Sequence, residues 1–122
     1  LITAFIYNGL EKKLKQFTAA IYSSIGKSLL ETGQYTKALE KCQKALEIWT
    51  KVLGTEHRIV ACGHNYVAQC QSALGQYTEA LKNYEKGLIT YRKIFGEEHK
   101  DTATSYYSIG TIQSKLARNA EA

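Results

Sequence analysis

The chain has 122 residues, 44% hydrophobic and 22% charged, a balance that excludes a disordered or membrane-embedded polypeptide and fits one domain or one repeat array. It contains no proline and is rich in Ala, Leu, Lys, Glu and Gln, so long helices meet no obstacle and are favoured by composition. The net charge of +5 comes from basic residues dispersed through the chain, as in EKKLK and KALEKCQKALE, which describes a solvated surface rather than a concentrated basic patch.

Three cysteines, Cys42, Cys62 and Cys70, form an odd set without disulfide-style spacing. Free thiols in a reducing, cytoplasmic compartment are the expectation. The chain begins at Leu1 and contains no Met, as expected of an excerpt from a longer protein.

In chain order, the opening LITAFIYNGL is apolar but short, with no basic stretch before it and EKKLK after it. It matches neither a membrane span nor a signal peptide. Residues 1–15 fit the frame of the units below as the tail of a preceding repeat's second helix, with Tyr7 in the place of Trp49 and Leu10 in that of Val52. The other reading is an N-terminal helix.

Next, Tyr22, Ile25, Gly26 and Leu29 recur at spacings of three and four, which predicts a helix over about 18–32 with one buried stripe. Gly33 follows where a helix should stop, because glycine enters the left-handed conformation without penalty. A second helix then carries Tyr35, Ala38, Leu39, Cys42, Ala45, Leu46, Trp49, Val52 and Leu53 at helical spacing, and Gly54 ends it.

The same text returns 42 residues on: 13 of the 29 positions from Gly33 to Ala61 are identical to the residue 42 places later. The register extends outwards without a gap, aligning Ala19 with Ala61 and Ala103, and Gly26 with Ala68 and Gly110. The chain therefore reads as unit one over 16–57, unit two over 58–99 and the start of unit three over 100–122, each unit an A helix followed by a long B helix of about 18 to 20 residues. Short G-x-E-H linkers oblige the units to stack. His57 recurs as His99 at the same joint, which points to capping or packing there rather than to chemistry.

The pattern of Tyr22, Ile25 and Gly26, then Gly33, Tyr35, Ala38 and Ala45, resembles that of the tetratricopeptide repeat. The 42-residue period, the lengthened B helix and the linkers VLGTEH and IFGEEH make it similar to the kinesin-light-chain variety. Where that variety has His-Pro-Asp, this chain has His57-Arg58-Ile59 and His99-Lys100-Asp101. Where it has an Asn pair, this chain has Ser23-Ser24, Asn65-Tyr66 and Tyr107-Ser108. The resemblance implies an all-α superhelical solenoid of antiparallel helix pairs, not an enzyme, that holds a protein or peptide partner along the concave wall of its A helices.

On that wall the candidate residues are Ser23, Ser24 and Lys27 of unit one, Asn65, Tyr66 and Gln69 of unit two, and Tyr107, Ser108 and Thr111 of unit three. They are small, polar or amphipathic, suited to hydrogen bonding an extended peptide with Tyr66 and Tyr107 as anchors. Members of the resembled family that grip a C-terminal carboxylate use paired Lys and Asn residues, of which only Lys27 has a counterpart here.

No cofactor or metal site is expected. His57, Cys62, His64 and Cys70 are close in sequence, but 62 and 64 point to nearly opposite sides of a helix. Phosphate loops, paired catalytic carboxylates and a Ser-His-Asp order are also absent from the sequence. Two alternatives to partner binding stay open: self-assembly through exposed solenoid ends into a homo-oligomer, and RNA binding through stacked tyrosines and the basic residues Lys37, Lys41, Lys44, Lys82, Lys86 and Lys93. Nucleic acid is the less expected of the two, because those lysines belong to the outer B helices and most tyrosines occupy packing positions.

Overall fold

The computed structural model describes residues 1–121, with side chains through residue 120. Ala122, the last position of the expected third unit, lies outside the described residues. Among the described residues five helices follow one another: α1 (Ile2–Glu31), α2 (Tyr35–Leu53), α3 (Arg58–Ala73), α4 (Tyr77–Phe95) and α5 (Lys100–Glu121). The expected all-α solenoid of helix pairs is what the chain forms, and α2 and α4 are each 19 residues long.

Each tight turn inside a pair has a local cause. Gly33 and Gly75 adopt φ of +83° and +78°, which lets the N–H of Gln34 bond the carbonyl of Leu29 at 2.9 Å and that of Gln76 bond the carbonyl of Gln71 at 2.8 Å. These are the backward bonds that satisfy the last carbonyls of a helix. The joints between pairs use the duplicated histidine. His57 Nδ1 accepts from the Ile59 N–H at 3.1 Å and His99 Nδ1 from the Asp101 N–H at 3.1 Å. Each imidazole thus caps a helix that has no proline to start it.

The first helix starts earlier than its apolar spacing predicts. No turn separates residues 2–15 from the first A helix; α1 runs unbroken from Ile2 to Glu31, instead of starting near residue 18 behind the tail of another B helix. The reason is in the register: 42 places before Gly54 and His57 stand Lys12 and Lys15. With neither a glycine to reverse the chain nor a histidine to cap a new start, the helix continues, helped by the Lys15–Glu11 pair at 3.1 Å.

Packing is sequential, α1 on α2, α2 on α3, α3 on α4 and α4 on α5, and α1 also touches α3, so the first two A helices are neighbours. Two apolar clusters fill the joints. Ala38, Cys42, Val67 and Cys70 form one, with Leu29, Leu30, Leu39, Leu46 and Tyr66 around it. Ala68, Ala80, Tyr84, Leu88, Ile109 and Ile112 form the other, flanked by Tyr77, Leu81 and Leu116. Small residues let the backbones close in: a Cβ on Gly26 would lie 2.6 Å from Cys42 Sγ and 3.3 Å from the Ala38 carbonyl. Ile25, expected in the buried stripe of the first helix, is exposed, because none of the described residues packs on that side of α1.

Candidate partner-binding face

The nine candidate residues fall into two groups that sequence spacing alone does not separate. Ser24 and Lys27 on α1, Gln69 on α3 and Thr111 on α5 are exposed, while Tyr66 and Ser108 are half-buried on the same lines. Tyr66 rests on the cluster of Ala38, Cys42, Val67 and Cys70, which holds its ring while leaving part of it free. Thr111 Oγ1 bonds the carbonyl of Tyr107 at 3.0 Å, and Ser108 lies within hydrogen-bonding reach of the Tyr84 hydroxyl.

The register of Ser23, Asn65 and Tyr107 turns the other way, towards the B helix of its own unit. Asn65 is pressed on α4: its Oδ1 is buried without a partner and lies 2.6 Å from where a Cβ on Gly87 would be. It is a packing residue, not an open groove residue. Ser23 is half-buried in the same register. Tyr107 is 78% exposed, but in the register of Asn65, so its exposure reflects the uncovered side of α5 rather than the line of Tyr66.

Around Tyr66 the structure gathers residues outside the candidate set. The Tyr66 and Tyr91 hydroxyls reach the Cys62 thiol, and the charges of Lys27 and Asp101 are felt there. Arg58, Ile59, Cys62, Tyr91, Phe95 and Asp101 line a depression of about 310 Å3 between α3, α4 and α5. Burial pushes the Cys62 thiol up, against the pull of its tyrosine hydrogen bonds, and burial likewise raises Tyr91. Both therefore stay protonated at neutral pH and serve as hydrogen-bonding groups, not nucleophiles. Cys62 is legible in the sequence as the counterpart of Ala20 and Thr104, one turn of the helix from Tyr66. Tyr91 carries no such signal, because its spacing on the B helix marks it only as a packing residue.

A larger hollow, about 450 Å3, lies on the other side of the molecule, between α2 and α4, lined by Leu46, Thr50, Thr55, Glu56, His64, Lys86, Ile89, Thr90 and Lys93. Its one imidazole is held by a polar chain: His64 Nδ1 meets Asn83 Oδ1 at 2.8 Å, and Asn83 Nδ2 donates to Gln71 Oε1 at 2.8 Å. With the Asn83 oxygen facing His64, the neutral ring carries its proton on Nδ1. Burial holds His64 below the usual histidine range, partly offset by the Asn83 bond. Size alone does not make this hollow the partner site, because its Lys93 is already paired with Glu56 at 2.7 Å.

Among the described residues no three His, Cys, Asp or Glu side chains gather as a metal would require, and no helix is long and apolar enough to cross a membrane. A family model for the tetratricopeptide repeat matches residues 17–88 and again 59–122. The chain belongs to the tetratricopeptide-repeat family. The two matches begin at 17 and 59, a spacing equal to the 42-residue period of the sequence. Among curated proteins none matches the chain. Tetratricopeptide repeats generally mediate protein–protein interaction or scaffolding, typically without enzymatic activity.

Proposed function

We propose that this chain is a scaffold segment of the kinesin-light-chain-like, 42-residue variety that holds a peptide or partner domain along the concave face of its A helices, in the cytoplasm. The observation that supports it best is the placement of Tyr66. Its ring is seated on a buried cluster yet half-open, near Cys62 and Tyr91, at a thiol on which the charges of Lys27 and Asp101 act. A held aromatic ring among neutral hydrogen-bonding groups and one charge of each sign suits an extended peptide, whose backbone supplies donors and acceptors and whose side chains supply anchors. Units 16–57 and 58–99, with the start of a third over 100–122, would each contribute one A helix to this wall.

A peptide-array screen comparing the wild type with Tyr66→Ala tests the reading. Ligands that bind the wild type are expected to lose at least about tenfold in affinity, in the range of a central aromatic anchor, while Tyr107→Ala, outside the Tyr66 line, changes binding less. Equal binding by wild type and Tyr66→Ala would sink the assignment.

One observation favours a second reading, self-assembly. Ile6, Leu10, Leu14, Phe17 and Ile21 are all exposed along one side of α1, and an apolar face of this extent marks an interaction surface. A second copy covering it would make the chain a homo-oligomer, which light scattering over a concentration series resolves; a strictly monomeric chain removes this reading. RNA binding has less support. Three of the six lysines it relies on are paired, Lys44 with Glu40 at 3.3 Å, Lys82 with Glu79 at 3.6 Å and Lys93 with Glu56 at 2.7 Å.

A further inference from the structure

Cys42 on α2 and Cys70 on α3 belong to different repeat units, yet their Sγ atoms lie 4.0 Å apart. Both are buried in the cluster that joins the two helices, and both are free thiols. One unit later the same two positions hold Tyr84 and Ile112, so the sulfur pair is a feature of this joint and not of the repeat. Cys62 stands apart, half-buried on the A-helix face with the two tyrosine hydroxyls beside it.

We propose that Cys42 and Cys70 are a modification site, at which a peroxide or a small-molecule disulfide oxidises the pair to a disulfide that staples α2 to α3. With hydrogen peroxide, the Cys42 sulfur attacks one oxygen and the O–O bond breaks. The sulfur becomes a sulfenic acid and one water leaves. Cys70 sulfur then attacks that sulfur, the S–O bond breaks, the S–S bond forms and a second water leaves. Two thiols and one peroxide give one disulfide and two waters. With oxidised glutathione, one glutathione thiol leaves on attack and the second when Cys70 closes the bond.

Three structural features fit this chemistry. The sulfurs must approach by about 2 Å to reach bonding distance, and the Cys42 sulfur packs directly on α1 at Gly26, where a Cβ would lie 2.6 Å from it. An oxidant admitted at the Gly26 side meets Cys42 first, and Cys70, with its sulfur 4.0 Å from that of Cys42, resolves. Access comes from the fold. Among the described residues α1 packs chiefly on α2 and only slightly on α3, and a helix held mainly by one neighbour opens locally at lower cost than one held on several sides. Opening α1 uncovers Cys42 from the Gly26 side.

Because Tyr66 packs on the same cluster, the staple would fix the part of the A-helix face to which we assign partner binding. That consequence rests on the proposed function; the thiol chemistry does not.

The test oxidises the reduced chain with hydrogen peroxide and, separately, with oxidised glutathione, then reads intact mass and protease-mapped peptides. The expected product has lost two hydrogens, carries a Cys42–Cys70 link within one chain, reverts with dithiothreitol and melts at a higher temperature than the reduced form. Cys42→Ser and Cys70→Ser abolish the link, whereas Cys62→Ser keeps it. Since Cys62→Ser leaves the pair intact, it answers the question even if the other two variants fold poorly. Sub-denaturing urea, which favours local opening, is expected to speed the reaction. The proposal is overturned if Cys42 and Cys70 both stay alkylatable after oxidation, if the link runs through Cys62 or between chains, or if Cys42 proceeds to a sulfinic acid with Cys70 free. Those results leave the peptide-binding reading untouched, because Tyr66→Ala tests it in the reduced protein.

Discussion

The helices α3 and α5 stand in the same register 42 residues apart and have different fates. On α3 two faces are buried: Val60, Gly63, Val67 and Cys70 on one side, Ala61 and Ala68 on the other. On α5 only the first face has its counterpart, Thr102, Ser105, Ile109 and Ile112. The equivalents of Ala61, Asn65 and Ala68, which are Ala103, Tyr107 and Gly110, are exposed. Burial in such an array is therefore set by the neighbouring unit as much as by the residue's own helix. That difference explains why Asn65 and Tyr107, paired by sequence as groove residues, behave unlike each other.

The sharpest way to break this comparison is to crowd the covered side of α3. A methyl on Gly87 would stand 2.6 Å from Asn65 Oδ1 and 3.2 Å from the Ala61 carbonyl, and the backbone carbonyl cannot rotate away. Gly87→Ala is expected to destabilise the chain by about 1–3 kcal/mol, read by urea denaturation. Unit one carries Ser23 and Ala45 at these two positions, so adding Asn65→Ser to Gly87→Ala should recover much of the loss. A neutral Gly87→Ala, or no recovery, would show that the two units pack by different rules.

On the one covered face of α5, Thr102 is fully buried and its Oγ1 bonds the Gly96 carbonyl at 2.8 Å, a bond its counterpart Val60 cannot make. Thr102→Val keeps the shape and removes the bond, at an expected cost of roughly 1 kcal/mol in thermal or urea unfolding. A smaller change of opposite sign is expected on the open face. A methyl placed on Gly110 would meet no atom within 4 Å, and the backbone there is ordinary helix, so Gly110→Ala should stabilise by about 0.5–1 kcal/mol through helix propensity alone. If Gly110→Ala destabilises, something covers that face in solution, and the second-copy reading gains weight.

Much of this fold was legible in the sequence, because the period, the turn glycines and the joint histidines are local signals with local causes. The long α1 was legible too, in the lysines that replace the linker glycine and histidine at positions 12 and 15, although apolar spacing alone suggested a break. The candidate site was legible only in part. Helical spacing places Tyr66 and Asn65 a residue apart on one helix, but which of them meets α4 depends on Gly87, twenty-two positions later. The sequence likewise places Cys42 and Cys70 on different helices without saying that their sulfurs meet. Such contacts depend on how the helices pack, which a one-dimensional period does not specify.

The smallest expected effect concerns the polar chain that exists on α3 only because α4 covers it. His64 bonds Asn83, whereas its counterpart Tyr106 lies on exposed surface and bonds Glu97 at 2.9 Å. Burial, reinforced by the charge of Lys86 and opposed by the Asn83 bond, holds His64 below its ordinary value of 6.5. Between the folded value and 6.5 the unfolded chain binds more protons than the folded one, so stability rises with pH through that window. The contribution is complete above the unfolded value and is lost as pH falls towards the folded one. Melting temperatures at about pH 7.5 and about pH 5.5, either side of the ordinary histidine range, should differ more for the wild type than for His64→Gln. Equal differences would mean that the imidazole titrates as freely in the folded chain as in the unfolded one, and that the cover α4 gives α3 does not extend to His64.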